Sequence, residues 1–183
     1  AQAKTGSGKT LAFSLPAIQH IEEGSLEGVL VLVPTRELAE QVAGEFKRFG
    51  RGIKNLKVAC VIGRQSYDIQ IRAINQGANA VIATPGRLID LLEGGRIKNF
   101  KPDMLVLDEA DEMLNMGFIE DIKKIFSFLP EERQTVFFSA TFPPQIKRLA
   151  QESQKDPAGV YLNSGKEKQD NELIEQSFFV VSD

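Results

Sequence analysis

The sequence Ala3-Lys4-Thr5-Gly6-Ser7-Gly8-Lys9-Thr10 stands almost at the start of the chain and decides how the rest is interpreted. Two glycines with one residue between them let backbone amides approach an anion closely. A helix beginning near Lys9 would point its positive end at the same anion. Lys9 adds a mobile positive charge, and the Thr10 hydroxyl is a suitable ligand for Mg²⁺. The stretch therefore predicts a loop that holds the phosphates of a nucleoside triphosphate.

Most residues of this loop are expected to contact ATP. The general pattern of such loops has glycine where Ala3 stands, so this loop is a variant. The alternative interpretation is a glycine-rich turn followed by a chance Lys-Thr pair. The residues that we expect to bind ATP are Ala3, Thr5, Gly6, Ser7, Gly8, Lys9 and Thr10.

A second candidate site is the acidic end of an apolar run, Met104-Leu-Val-Leu-Asp108-Glu109-Ala110-Asp111. A carboxylate at the end of a buried strand can hold Mg²⁺ directly or through water, while a neighbour orients the attacking water. Asp108 is the predicted metal ligand, and Glu109 is the predicted general base or water-positioning residue. The alternative is that these acids only stabilise the start of a helix.

Short apolar runs alternate with amphipathic helical patterns along the whole chain. Nearly all residues of these runs are apolar, as in strands that are covered on both faces. This alternation predicts an α/β fold, a parallel β-sheet with helices on both faces, whose ligands bind beyond the carboxyl ends of the strands. Thr35 is a predicted helix N-cap, and Pro143-Pro144 is predicted to open another helix. The predicted strands are residues 29–33, 56–62, 80–83, 104–107 and 135–138.

Charge and composition exclude several classes of protein. The net charge of −3 does not suit a protein that holds nucleic acid by bulk charge, so any such contact must come from a few local groups. The single cysteine, Cys60, is predicted to be a buried core residue in a reducing compartment. No apolar run is long enough to span a bilayer, and no secretion signal is present, so a cytoplasmic location is expected, with a nuclear one left open.

At this point the motifs resemble those of one family. Asp108-Glu-Ala-Asp111 spells the signature of the DEAD-box RNA helicases, and the chain is similar to the first RecA-like domain of that family. The phosphate loop resembles motif I, Pro34-Thr-Arg-Glu-Leu-Ala39 resembles motif Ia, Thr84-Pro-Gly-Arg87 resembles motif Ib and Ser139-Ala-Thr141 resembles motif III. The motifs occur in the family's order over residues 1 to about 163.

The resemblance implies a further set of functional residues. In the family, motifs Ia and Ib hold the sugar-phosphate backbone of RNA, so binding is expected to tolerate any sequence. Asp111, Ser139 and Thr141 would couple the ATP site to RNA binding. The residues implied to contact RNA are Pro34, Thr35, Arg36, Gly63, Arg64, Thr84, Pro85, Gly86 and Arg87.

Two departures from the family are visible. The motif that recognises adenine lies upstream of motif I in the family and is not in this sequence, so no residue is assigned to adenine. The family carries Gly-Gly where this chain has Gly63-Arg64, and arginine is poorly suited to the positive φ that glycine tolerates. Arg64 could clash with RNA or could add a phosphate contact.

The resemblance also implies an organisation and a function. Residues 1–163 would form the ATP-binding domain, and residues 164–183 would be a linker and the first strand of a second RecA-like domain. Only two residues precede the phosphate loop, so the chain is expected to be a piece of a longer protein whose missing strand lies in the middle of the sheet.

ATP hydrolysis with Mg²⁺ would drive RNA duplex unwinding or remodelling, and a monomer is the default state. The second RecA-like domain would complete the active site, so the isolated chain is expected to be largely inactive. The alternatives are an ATP-gated RNA clamp without processive unwinding, and a DNA-directed motor or another phosphate-loop ATPase.

Overall fold

The structure is a computed structural model that describes residues 1–4, 6–97 and 100–162. Thr5 of the phosphate loop and the predicted linker and strand at 164–183 lie outside the described residues.

A parallel five-stranded sheet forms the centre of the described chain, with the strand order β2-β3-β1-β4-β5. Every residue of β1, β3 and β4 is buried, which explains why their sequences are almost purely apolar. The predicted α/β class with a parallel sheet is confirmed, and the strand predictions hold within two residues at each end. The strands are β1 (Val29–Leu32), β2 (Val58–Val61), β3 (Ala80–Ala83), β4 (Met104–Asp108) and β5 (Gln134–Phe138).

Helices cover both faces of the sheet, as predicted. The odd residues of β1 pack with the apolar residues of α1 and α2, and the even residues pack with those of α3 to α7. The Thr35 hydroxyl accepts a hydrogen bond from the Leu38 amide, and Pro144 opens α7, so both predicted helix starts are confirmed. The helices are α1 (Lys9–Glu23), α2 (Arg36–Phe49), α3 (Tyr67–Asn75), α4 (Pro85–Glu93), α5 (Ala110–Asn115), α6 (Ile119–Phe128) and α7 (Pro144–Ser153).

The start of the chain lies beside β5, the edge strand of the described sheet. Gln2 forms parallel bridges with Ser139, just after β5, and with Tyr161. The Ala3 amide donates to the Ser139 carbonyl at 3.0 Å, and the Gln2 amide donates to the Val160 carbonyl at 2.8 Å. These bonds fix the phosphate loop at the carboxyl end of β5, on the same edge as the end of β4.

Cys60 is only partly buried, at the edge of the cluster that packs against α1 and α2, so its prediction as a core residue was too strong. Burial and the Glu40 carboxylate raise the pKa of its thiol to about 11, which makes the thiolate scarce. No helix within 1–4, 6–97 and 100–162 has both the length and the apolar character needed to cross a membrane.

Candidate functional site

The two glycines of the phosphate loop have backbone conformations that other residues rarely adopt. Gly6 has φ +79° and Gly8 has φ +87°, both in the left-handed region. A Cβ at either position would meet no atom within 4 Å, so φ rather than space requires glycine here. This conformation turns the chain from Ala3 into α1.

The first turn of α1 is open toward an anion. Gly8 is its N-cap, no side chain among the described residues caps it, and the turn contains no acid. The amides of a first helical turn have no acceptor within the helix, and the helix dipole adds a partial positive charge. The start of α1 therefore has the properties of a phosphate-binding terminus.

Lys9 reaches back over the same loop. Its amine donates to the Ala3 carbonyl at 3.1 Å, and the residue is only 9% exposed. The Ala3 amide donates to the Ser139 carbonyl, and the Ser139 hydroxyl accepts a hydrogen bond from the Asp111 amide. The structure therefore places the phosphate loop beside the end of β4.

The Asp108 carboxylate is buried, and few groups of the protein stabilise its negative charge. It is 3% exposed, and its Oδ1 accepts a hydrogen bond from the Glu109 amide at 3.0 Å. Burial raises its pKa to about 6, the charges of Glu109 and Asp111 add to this rise, and Lys9 opposes it. A buried acid of this kind gains from a bound cation.

The donor set fits Mg²⁺. This ion takes oxygen ligands and commonly uses one or two protein groups together with phosphates and waters. The Asp108 carboxylate and the Thr10 hydroxyl are such groups. Within the described residues no cluster of three or more His, Cys, Asp or Glu side chains could form an all-protein metal site.

Glu109 has a strained backbone. Its φ is +54° and ψ +49°, and it forms the N-cap of α5 without a capping side-chain bond. Left-handed conformations of this kind disfavour residues with a Cβ, and they persist where the surroundings impose them. The positive φ changes the direction of the chain directly after Asp108, so that the carboxylates of Asp108 and Glu109 lie in different surroundings.

Asp111 joins the ends of β4 and β5. Its Oδ2 accepts hydrogen bonds from the amide and the hydroxyl of Thr141, each at 2.9 Å. The amide of Asp111 donates to the Ser139 hydroxyl at 3.0 Å, and Ser139 is fully buried. The structure thus brings together the three residues that the resemblance implied as coupling residues.

Most residues implied to contact RNA line one groove. This groove, of about 310 Å³, lies at the carboxyl ends of β1 and β3, where α2 and α4 begin. Pro85 is buried at the first turn of α4, and Arg64 is exposed just beyond the groove lining. The implied residues that line the groove are Pro34, Thr35, Arg36, Gly63, Thr84, Gly86 and Arg87.

Sequence reasoning missed two residues of the groove. Met116 and Phe118 also line it, and Met116 is 46% exposed. Gly117 between them has φ +81°, which turns the chain so that both side chains reach the groove. The sequence signal for this turn was a lone glycine after an apolar helical pattern.

A larger cavity than this groove lies elsewhere. It has about 580 Å³ and lies beside β5, lined by residues such as Phe137, Phe142 and Tyr161. None of the predicted site residues lines it. The candidate site is therefore identified by its charged and hydroxyl groups and not by the size of a cavity.

Comparison with known proteins identifies relatives over nearly the whole chain. A family model described as DEAD/DEAH box helicase matches residues 1–149. The chain is 46% identical over 180 residues to the ATP-dependent RNA helicase DeaD of Escherichia coli K12, and covers 28% of that protein. It is 47% identical over 184 residues to the DEAD-box ATP-dependent RNA helicase CshA of Streptococcus pneumoniae TIGR4, and covers 34% of it.

Comparison with solved structures also identifies helicases of this kind. A DEAD box protein from the hyperthermophile Methanococcus jannaschii matches with a TM-score of 0.78 and 43% identity, over 85% of this chain and 42% of that one. A hypothetical ATP-dependent RNA helicase from Sulfolobus tokodaii matches with a TM-score of 0.75 and 42% identity, over 85% of this chain and 45% of that one. The chain thus spans less than half of the proteins that it matches.

Proposed function

Because this chain belongs to the DEAD/DEAH box helicase family, we propose that it is the ATP-binding and RNA-binding domain of an ATP-dependent RNA helicase. The observation that carries the proposal is the convergence of the phosphate loop and the end of β4: the Lys9 amine and the Ser139 carbonyl both bond the backbone of Ala3, and the Ser139 hydroxyl accepts a hydrogen bond from the Asp111 amide. A cation from the phosphate loop beside an acid from a strand end is the arrangement that a nucleotide with a divalent ion requires.

The nucleotide's phosphates would lie against the phosphate loop and the first turn of α1. The amides there lack acceptors within the helix, and Gly6 and Gly8 hold the conformation that directs them. The Lys9 amine would leave the Ala3 carbonyl, to which it donates a hydrogen bond here, and would bind the β- and γ-phosphates instead. Asp108 and Thr10 would hold Mg²⁺, which when bound neutralises charge on the phosphates.

Glu109 would position the attacking water. It directly follows Asp108, is partly exposed, and has its backbone turned by a positive φ. A carboxylate in this position can accept a hydrogen bond from water and orient it toward the terminal phosphate.

A change in the bound nucleotide would be coupled to the RNA site through Asp111, Ser139 and Thr141. Their hydrogen bonds join the end of β4, which holds Asp108, to the end of β5. The chain then continues from β5 into α7 and on to residues 164–183, which we propose as a linker leading to a second domain. A shift at Asp108 would therefore pass through these hydrogen bonds to the end of β5 and then along the chain through α7 toward that linker.

An RNA strand would lie in the groove at the starts of α2 and α4. Two helix N-termini and the guanidinium groups of Arg36 and Arg87 face this region, and both features attract phosphates. The exposed Met116 offers an apolar contact to a sugar or base. Such contacts read no sequence, so binding would be sequence-tolerant.

The activity of a whole helicase needs more than this chain. We propose that residues 1–163 form the first RecA-like domain and that a second such domain completes the ATP site and the RNA site. The chain alone would bind nucleotide weakly, hydrolyse little ATP and separate no strands. A monomeric state and a cytoplasmic location stay predictions from the sequence.

Calorimetric titration of the 183-residue chain with Mg-ATP tests the proposal. Lys9→Gln should weaken binding by about 100-fold, because it removes a charge-assisted contact with the phosphates. Lys54→Gln, at an exposed turn on the opposite end of the sheet, should bind as the parent does. Equal affinity of parent and Lys9→Gln would contradict the assigned site.

Assays of a longer protein that includes the second domain separate the alternatives. ATP hydrolysis stimulated by RNA together with loss of duplex supports a helicase. RNA-stimulated hydrolysis without any duplex separation would favour an ATP-gated clamp, and stimulation by DNA alone would favour a DNA-directed motor. Strand separation by the isolated chain would contradict the need for a second domain.

A further inference from the structure

Positive charge is unevenly distributed along the chain. Six of the 22 Lys and Arg residues, but none of the 25 Asp and Glu residues, lie between residues 46 and 67. Five of these six occur at the end of α2 and in the turn that leads to β2, and all five are exposed. On a chain with a net charge of −3, they form a local concentration of positive charge. The residues of this basic patch are Lys47, Arg48, Arg51, Lys54 and Lys57.

Stabilisation of the α2 dipole explains only part of the basic patch. Lys47 and Arg48 lie in the last turn of α2, where cations stabilise the free carbonyls of a helix. Arg48 also pairs with Glu45 at 2.9 Å. Arg51 and Lys54 lie beyond the helix and, like Lys47, make no hydrogen bond and no ion pair with any residue that the structure describes. These three cations are therefore available to an external anion.

The turn after α2 has a defined structure, which fixes where its cations are presented. The Leu56 side chain folds back over the end of the helix, so that a Cβ at Gly50 would clash with it. The Asn79 side chain donates to the Asn55 carbonyl at 2.7 Å and accepts a hydrogen bond from the Lys57 amide at 2.9 Å. Because the turn is already ordered, binding of a ligand would cost little conformational entropy in its backbone.

The basic patch offers charge and hydrogen-bond donors but no exposed apolar surface. Ile53 and Leu56 of the turn pack against the apolar cluster of α1 and α2. The Phe49 ring is partly buried, and the Arg48 guanidinium lies over it at 4.5 Å from the centroid. Within the described part of the chain, none of the exposed large hydrophobic side chains belongs to residues 44–60.

These properties favour a nucleic-acid duplex over other anionic partners. Binding to a membrane surface buries apolar side chains beside the cations, and protein interfaces have an apolar or aromatic core. Proteins that hold single-stranded nucleic acid stack its bases on aromatic side chains. Duplex RNA, in contrast, is contacted through its phosphates and its shape, for which exposed cations are sufficient.

We infer that the basic patch binds the phosphodiester backbone of an RNA duplex, outside the groove in which a single strand would lie. The two sites are at opposite ends of α2, whose 14 residues separate them by about 20 Å. The exposed Glu37 and Glu40 lie between them on the same helix, so the sites are distinct. The inference rests on the proposed function, because the duplex would continue from the strand in the groove.

Binding of two labelled RNAs by the 183-residue chain tests the inference. One RNA is a hairpin with a stem of about 16 base pairs and a single-stranded oligouridylate tail, and the other is the tail alone. Fluorescence anisotropy over a series of KCl concentrations gives the affinity and its salt dependence. The patch variant combines Lys47→Gln, Arg51→Gln and Lys54→Gln. It should bind the hairpin about tenfold more weakly at low salt, with a slope of log affinity against log salt reduced by about 2.

The tail alone should bind the patch variant as it binds the parent, because the groove is unchanged. A matched variant combines Lys123→Gln, Lys147→Gln and Arg148→Gln, which remove the same charge from exposed positions on α6 and α7. These helices cover the opposite face of the sheet from α2, so this variant should bind both RNAs as the parent does. Both variants should keep the midpoint of thermal unfolding within a few degrees, because the replaced side chains are exposed.

Parent-like hairpin affinity and salt slope in the patch variant would overturn the inference while leaving the proposed function standing. Binding of the parent to vesicles of phosphatidylcholine and phosphatidylserine, lost in the patch variant while hairpin binding is unchanged, would assign the basic patch to a membrane surface instead. Failure of the parent to bind the tail would overturn the RNA groove of the proposed function, and the hairpin would still decide whether the basic patch binds a duplex.

Discussion

Asp111 and Thr141 are joined by two hydrogen bonds to a single oxygen: Oδ2 of Asp111 lies 2.9 Å from both the amide nitrogen and the hydroxyl of Thr141. The residues are 30 positions apart in the chain and follow β4 and β5. Burial by itself raises the pKa of Asp111, but hydrogen bonds from Ser139 and Thr141 outweigh it and hold that pKa below its ordinary value. The ionised carboxylate therefore stabilises this junction.

Thr141→Val should weaken the junction in a pH-dependent way. It removes one donor, so the pKa of Asp111 should rise and the free energy of unfolding should fall by about 1 kcal/mol near neutral pH. A group whose pKa is depressed by folding stabilises the fold above its unfolded pKa and loses this effect as pH falls through the folded value. The difference between variant and parent should therefore shrink in acid.

Denaturant unfolding at neutral and acid pH, with an NMR titration of the Asp111 carboxyl, measures both effects. Thr141→Ser keeps the hydroxyl and serves as the control, which should titrate like the parent. An equal loss of stability at both pH values would show that the hydroxyl acts by packing and not through the charge of Asp111.

Asp108→Asn should stabilise the nucleotide-free chain. The folded pKa of Asp108 is about 6 against an ordinary 3.8, and at about 1.4 kcal/mol for each pKa unit its charge costs up to about 3 kcal/mol. Because the folded state holds its proton more tightly, stability falls as pH rises from about 4 to about 6 and then levels off. The gain from Asp108→Asn should follow the same curve.

Thermal unfolding in EDTA, across this pH range, measures the gain. The same variant should lose Mg²⁺-dependent nucleotide binding, which is the usual relation between stability and function at an active site. A variant that is less stable than the parent at neutral pH would show that the carboxylate is satisfied by the protein alone.

Replacement of Gly8 and of Gly44 by alanine should change the free energy of unfolding in opposite directions. Gly8 has φ +87°, so Gly8→Ala should lower the free energy of unfolding by about 1–2 kcal/mol. Gly44 lies exposed within α2 with no atom near its missing Cβ, so Gly44→Ala should raise it by about 0.5–1 kcal/mol. Denaturant titration of both variants checks the contrast, and destabilisation of equal size would contradict the assigned loop conformation.

Much of this site could be predicted from the sequence because its determinants are local. The phosphate loop depends on two glycines and the start of a helix, and the position of Asp108 depends on an apolar strand that ends in an acid. Thr35 was identified as an N-cap from its neighbours alone. Alternating strands and helices then place all of these groups at one edge of a parallel sheet.

Other features could not be predicted because they depend on partners far away in the chain. Arg87 was assigned to RNA, but its contacts with Gln65, Gln70 and Tyr67 arise from how α3 packs beside α4. The positive φ of Glu109 has no signal in its residue type. The exposure of Met116 also has no signal in its residue type, and it follows from the turn at Gly117.

Replacement of Mg²⁺ by paramagnetic Mn²⁺ in the complex of the chain with ATP tests most directly whether the phosphate loop and the end of β4 form one metal–nucleotide site. A single metal–nucleotide site predicts that the NMR amide signals of Gly6, Gly8, Asp108 and Thr141 broaden together, while that of Gly52, at the opposite end of the sheet, stays sharp. Broadening at Gly8 without broadening at Asp108, or the reverse, would contradict it.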